Sequence, residues 1–346
     1  MIDIARIDHI SMAVAELDPQ VELLERLFGF RYTGRFSADG YLGADLGVPG
    51  SSGIAWELLA PDRPDSYLHR FLDGVHGPGL HHLGLQVRDM DAALHSMAQF
   101  GIEPWRLDQQ ERHLRTAQSV EDEVAGDAHS VTYIGPRGGD GFLYQLHEAA
   151  AWHLSEPFED DRPGTIGITA VNSLGHAHHN RTELGDWYEQ LFGFRTVHSL
   201  PLAFARASFV SRILELPSEQ LRVEVMQPAR EDSFLQRFID ERGSAIHHVS
   251  FEVREMQVAI AACNSHRVAV IAEHSGQTEG GRWHEAFIPP EHTGGMLVQF
   301  FDWEPASRQP PLIADAESMG TEGPTSDVDY RPAPDEANPS SADCSP

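Results

Sequence analysis

Trp56-Glu57-Leu58-Leu59-Ala60-Pro61, then Asp65-Ser66, Arg70-Phe71-Leu72-Asp73 and Gly79-Leu80-His81-His82-Leu83 form a phrase that this chain says twice. The second copy reads Val223-Glu224-Val225-Met226-Gln227-Pro228, Asp232-Ser233, Arg237-Phe238-Ile239-Asp240 and Ala245-Ile246-His247-His248-Val249. A shorter echo precedes each copy, Leu27-Phe28-Gly29-Phe30 and Leu191-Phe192-Gly193-Phe194. The offset of about 165 residues is too long for a solenoid unit and suits a whole domain. The sequence therefore reads as a duplicated domain, and the differences between the copies should show where chemistry happens.

Working outward, each half reads as strand, helix and strands, performed twice. In the first half, residues 7–14 alternate like a strand, and residues 20–27 have helical spacing that stops at Gly29. Residues 83–87 open a second unit, residues 89–100 form a helix behind an Asp cap, and residues 141–146 close the half. The second half repeats the plan, with helices over 184–191 and 256–264 and a closing strand over 295–300. The expected organisation is a first module over 1–150, a linker over 151–166 and a second module over 167–304. An acidic, Pro-rich tail over 305–346 reads as disordered.

A chain of 346 residues has room for two ordinary cores. Its net charge is -28, and all of its basic residues are Arg. The absence of Lys excludes a Lys Schiff base or a Lys general base. The acidity disfavours nucleic acid as a partner, because phosphate contacts need clustered positive charge. No apolar run reaches membrane-spanning length, so no membrane partner is expected. The N-terminus lacks the shape of a signal peptide, and there are only two cysteines, Cys263 and Cys344. Together these give a cytoplasmic expectation without a disulfide framework.

The four strand–helix–strand units, His81-His82 and His247-His248 before opening strands, and the Gly-rich turns before closing strands resemble the vicinal oxygen chelate superfamily. That superfamily includes glyoxalase I, methylmalonyl-CoA epimerase, extradiol dioxygenases and antibiotic-resistance proteins. The resemblance covers about residues 5–303, nearly all but the tail. It implies an α+β fold of tandem modules, each of paired βαβββ units that form a cup-shaped mixed sheet. It also implies one divalent metal per complete cup (Zn, Mn, Co, Ni or Fe), with ligands from the opening strand and a late strand of each unit. Carried over residue by residue, the first half offers His9, Glu57, His82 and Gln145. The second offers Ser173, Glu224, His248 and Gln299. Ser173 stands as far before Gly193 as His9 stands before Gly29, so the second cup has lost a ligand in this alignment. A slip of three residues would bring His176 into that place; otherwise His176, His178 and His179 read as a partly exposed strand end.

A centre held by two imidazoles, one Gln and one Glu is a stronger Lewis acid than one with two carboxylates. It suits proton abstraction next to a carbonyl, through an enediolate. Glu57, the one carboxylate among the four, is the candidate base; His147, two residues beyond Gln145, is the second candidate. Methylmalonyl-CoA epimerase would call for a separate catalytic Glu, and upstream of Glu57 only Asp39 and Asp45 are near. The tandem arrangement looks more like the cyclitol epimerases of natural-product pathways that act on 2-epi-5-epi-valiolone, a neutral small-molecule substrate. Two alternatives stay open: an extradiol-type ring-cleaving dioxygenase on two His and one carboxylate, and a non-catalytic binding or resistance protein. Trp56, Phe142, Tyr144 and Trp283 could line a pocket in the latter case. The duplication supplies within one chain the contact that single-module relatives make by dimerising, and leaves room for a homodimer.

Overall fold

The period-2 and helical patterns resolve into two mixed sheets. The computed structural model describes residues 1–38, 40–50, 53–75, 77–105, 131–148, 156–199, 208–216, 218, 220–278 and 281–305. The tail expected over 305–346 falls outside them but for its first residue, as does the start of the linker. In the first half, β1 (Ile4–Ala13) leads through α1 (Leu17–Arg26) to β2 (Arg31–Ala38), β3 (Tyr41–Gly47) and β4 (Ala55–Pro61). A short α2 (Leu68–Leu72) then joins β5 (Gly79–Val87), α3 (Met90–Gln99), β6 (Val131–Ile134) and β7 (Leu143–His147). In the second half, β8 (Ile168–Ala177), α4 (Arg181–Phe192), β9 (Arg195–Ser199), β10 (Phe209–Glu215) and β11 (Arg222–Pro228) repeat the first unit. There follow α5 (Phe234–Arg242), β12 (Ala245–Val253), α6 (Met256–Ser265), β13 (Ile271–Thr278), β14 (Gly281–Ile288) and β15 (Leu297–Pro305).

The strand orders are β2-β3-β4-β1-β5-β7-β6 and β13-β14-β15-β12-β8-β11-β10-β9. In each sheet the two opening strands lie side by side and antiparallel, and each is flanked by a parallel late strand of its own unit. The α+β tandem architecture is as the sequence implied. Among the described residues, however, each half has three α-helices, because the repeated phrase itself builds α2 and α5. Ser66 Oγ accepts from the Leu68 N–H at 3.2 Å, and Ser233 Oγ accepts from the Gln236 N–H at 3.1 Å. With five residues, α2 is too short to show a helical period. Each of these helices sets a Phe against the first His of the pair that follows. Phe71 meets His81 with ring centroids 4.8 Å apart, and Phe238 meets His247 at 4.9 Å.

The shorter echo is a seam between the modules. Phe28 and Phe30, beyond α1, pack on Phe251 of β12, each with centroids 6.0 Å apart. Phe192, at the end of α4, packs on Tyr144 of β7 at 5.2 Å. Backbone bonds follow the same reciprocity: the Ile2 N–H donates to Leu191 O at 2.6 Å, and the Ile166 N–H to Leu27 O at 2.8 Å. One continuous apolar core results, containing Ile10, Trp56 and Leu85 of the first sheet with Val225, Phe251 and Phe300 of the second. Among the described residues no helix is long and apolar enough to cross a membrane.

A polar clasp reinforces the seam. The Asp140–Gly141 turn docks so closely on β12 that a Cβ on Gly141 would overlap the Ser244 carbonyl. His178 Nε2 lies 3.1 Å from Asp140 Oδ2, and buried His176 meets Tyr188 Oη at 2.9 Å and the Asp140 carbonyl at 2.9 Å. His176 is thus a seam residue rather than an exposed strand end.

Phe251→Ala should cost about 3–5 kcal/mol, read by denaturant unfolding. Because the core is shared, both sheets should lose stability in one transition; two separate transitions with only one shifted would contradict the seam. The clasp also has a pH signature. Burial disfavours charge on His178, but the hydrogen bond and charge of Asp140 outweigh it and raise its pKa above the ordinary 6.5. Burial likewise opposes charge on Asp140, and the facing histidines outweigh it and bring its pKa below 3.8. The His178 contribution is complete below pH 6.5 and fades as pH rises through the raised pKa. The Asp140 contribution is complete above 3.8 and fades as pH falls through the lowered one. An NMR titration of the His178 ring should therefore show a midpoint above 6.5 that falls in Asp140→Asn.

Candidate metal centre

Strand alternation sends His9 and Ser11 of β1 to the same face as His82 and Gly84 of β5. Register fixes their neighbours: His9 pairs with Gly84, Ser11 with both Glu57 and His82, and Gly84 with Gln145. Gly84 is required by the site, because a Cβ there would fall inside the His9 ring. The result gathers His9, Glu57 and His82, all buried, with ligand atoms within 4.8 Å of one another. His9 Nε2 and His82 Nε2 lie 3.0 Å apart, and Glu57 Oε1 lies 3.9 and 3.6 Å from them. Adjacent ligands of a divalent metal bonded at about 2.1 Å are themselves about 3 Å apart, so the spacing suits a shared ion.

Two bulges supply what holds these rings. The β1–β5 register skips Asp8, so Asp8 turns toward its own neighbour and its Oδ2 accepts from His9 Nδ1 at 2.9 Å. The same register skips His81, whose Nδ1 lies 2.9 Å from His82 Nδ1. Burial pushes His81 down to about 4 against the pull of Glu57, so it is a neutral partner at pH 7. With Nδ1 of each ligand ring engaged from behind, the Nε2 lone pairs face the cup, the arrangement that metal-ligating histidines need. Ser11 Oγ donates to Glu57 Oε1 at 2.7 Å.

Gln145, on β7 beside Gly84, donates its Nε2 to Tyr133 Oη at 3.0 Å, while its buried Oε1 has no partner. An orphaned amide oxygen on the face of two imidazoles and a carboxylate is a fourth donor in waiting. The residues present therefore fit a divalent metal. His147, the second candidate base, is fully buried and its Nε2 lies 3.8 Å from Asp8 Oδ2. It stands behind His9 rather than in the gathered group. Asp8, Ser11, His81 and Tyr133 were not foreseen from the sequence. Strict alternation points Asp8 and His81 away from the cup, and only the bulges bring them to the ligands.

In the second sheet, Ser173 pairs with Ser250, and Gly175 with both Glu224 and His248. This is the register of His9 with Gly84 and of Ser11 with Glu57 and His82, so Ser173 holds the place of His9. Among the described residues no second metal-competent group is gathered there.

A profile of the Glyoxalase/Bleomycin resistance protein/Dioxygenase superfamily matches residues 8–117 and 173–287. A 4-hydroxyphenylpyruvate dioxygenase of Legionella pneumophila is 23% identical over 186 residues, covering 53% of this chain and 49% of that protein. The chain thus spans about half the length of that relative. A mutant of 4-hydroxymandelate synthase from Streptomyces coelicolor superposes with a TM-score of 0.63 at 14% identity, over 89% of this chain and 94% of the other. The Mn(II)-bound glyoxalase from Novosphingobium aromaticivorans gives 0.55 at 13% identity, over 94% of each. Members of this superfamily bind divalent metals, and the first cup has the donors to do so. The chain belongs to the Glyoxalase/Bleomycin resistance protein/Dioxygenase superfamily, with two modules in one polypeptide.

Proposed function

We propose that this chain is a metal-dependent epimerase that takes a proton from the carbon beside a carbonyl and returns one to its other face. The best-fitting substrate is a neutral cyclitol ketose such as 2-epi-5-epi-valiolone. The observation that carries this reading is the unpartnered Gln145 Oε1 beside the His9–Glu57–His82 group. Two histidines and one carboxylate are the facial set of non-haem iron oxygenases, which leaves room for both an organic substrate and a co-substrate. A fourth protein donor fills one of those places and leaves room for a substrate alone, held through two neighbouring oxygens.

His9, His82, Glu57 and Gln145 would hold the metal. When bound, it polarises the substrate carbonyl and stabilises negative charge on that oxygen. Glu57 takes the proton, with its carboxylate oriented by Ser11, and water supplies the proton that adds to the other face. Asp8 keeps the His9 ring fixed while charge develops, and His147 packs against Asp8. A neutral ketose agrees with a chain of net charge -28 that has no Lys. The ring-cleaving dioxygenase remains a second reading, favoured by the three-residue group and by the relatives named as dioxygenases.

Protein purified without chelator should hold about one equivalent of divalent metal, as one gathered ligand group implies. His9→Ala should hold none, and His248→Ala should keep it; elemental analysis decides. Epimerisation of the ketose in heavy water should place deuterium at the inverted carbon. Glu57→Gln should slow turnover by about 10²–10⁴-fold. Turnover without solvent deuterium would remove the proton-transfer reading, and oxygen uptake with a catechol would put the dioxygenase in its place.

A further inference from the structure

The second cup differs from the first by replacements that act together. Ser173 stands for His9, Gly175 for Ser11, Ser250 for Gly84 and Phe287 for Tyr133, as the matching registers show. Without a Tyr hydroxyl to hold it, Gln299 donates its Nε2 to Glu285 Oε2 at 2.8 Å. Its oxygen is occupied by a hydrogen bond from Ser250 Oγ. The amide oxygen left open in the first cup is therefore closed in the second, and one imidazole is gone. The remaining His248 ring lies over Gly175, where a Cβ would overlap it.

What remains is a polar cup with hydrogen-bonding capacity to spare. Ser173 Oγ is buried without a partner, and His248 Nε2 makes no hydrogen bond, with Gln299 its polar neighbour. Glu224 is buried and forms no ion pair among the described residues; the Ser211 side chain hydrogen-bonds to it, and the charge of Glu285 opposes its ionisation. Burial pushes Glu224 up to about 7 and His248 down to about 4, so a neutral imidazole and a mostly protonated carboxyl face the cup at slightly acidic pH. Glu224 and His248 are 3% and 4% exposed, against 7% and 5% for Glu57 and His82, so the two cups are closed to a similar degree. A hydroxyl and a protonated carboxyl can each both donate and accept, and the open Nε2 of His248 does one or the other according to its tautomer. An anion needs donors only, and a cation needs acceptors only. A ligand hydroxyl, which does both, matches all three. Partly buried Phe287, its ring centroid 6.2 Å from that of His248, offers an apolar face for ring C–H groups.

We propose that the second cup is a metal-free binding site for a neutral polyhydroxylated molecule, a sugar or cyclitol, held by Ser173, Glu224 and His248 against Phe287. The inference does not rest on the epimerase reading. The test is calorimetric titration of the metal-loaded full chain with myo-inositol, with inorganic phosphate and methylammonium as charged controls. Saturable inositol binding is expected in the parent chain and equally in His9→Ala, in which the first cup is disabled. Ser173→Ala and Glu224→Gln should each weaken it at least tenfold while circular dichroism stays unchanged; Ser173→Ala removes one hydroxyl and keeps the packing. No inositol binding would overturn the proposal and leave the spare groups to water. So would binding that vanishes in His9→Ala, tighter binding of methylammonium or phosphate, or indifference to Ser173→Ala.

Discussion

The hydrogen bond from His9 to Asp8 decides which nitrogen of His9 looks into the cup, and the rest of the centre is arranged around that choice. An imidazole presents either a lone pair or a proton at Nε2, and a carboxylate at Nδ1 settles it in favour of the lone pair. The bond exists because β1 carries one residue more than β5 at this point. His82 is served in the same manner by His81, through a second bulge on the opposing strand. Two irregularities in a pair of antiparallel strands thus turn an ordinary alternating surface into two aimed lone pairs 3.0 Å apart.

Much of this was legible in the sequence, and the illegible part has a common cause. The duplicated phrase gave the two modules. The family resemblance offered His9, Glu57, His82 and Gln145 as one ligand set, and the structure gathers the first three with Gln145 on the strand beside Gly84. Counting in twos fails where a strand bulges, which is why Asp8 and His81 read as outward residues. It also cannot see across strands: Tyr133 and Phe287 decide whether a Gln oxygen is open or closed, yet they lie well before Gln145 and Gln299 in the chain. The two-residue spacing from Gln145 pointed to His147, but its contact with Asp8 depends on the bulge.

The seam explains how two cups of one origin have come to differ. Fold stability rests on Phe28, Phe30, Tyr144, Phe192 and Phe251, none of which is a cup ligand. Polar residues inside a cup can therefore change without loosening the scaffold. The second cup shows compensated change, with serine and glycine exchanging places across the strand pair: His9 lies over Gly84 in the first cup, and His248 lies over Gly175 in the second.

The reciprocal seam has one more implication, which concerns how such a chain can be shortened or copied. Each module ends its own first helix on the leading segment of the other, through Ile2 to Leu191 and Ile166 to Leu27. A half-length product would carry a bare aromatic face and an unmet backbone edge. It would have to find a second half, identical or not, before it could persist in water. Covalent joining makes that meeting unimolecular, so it no longer depends on how much protein the cell makes. It also fixes the pairing as one unlike couple, a freedom that two copies of a single sequence never have.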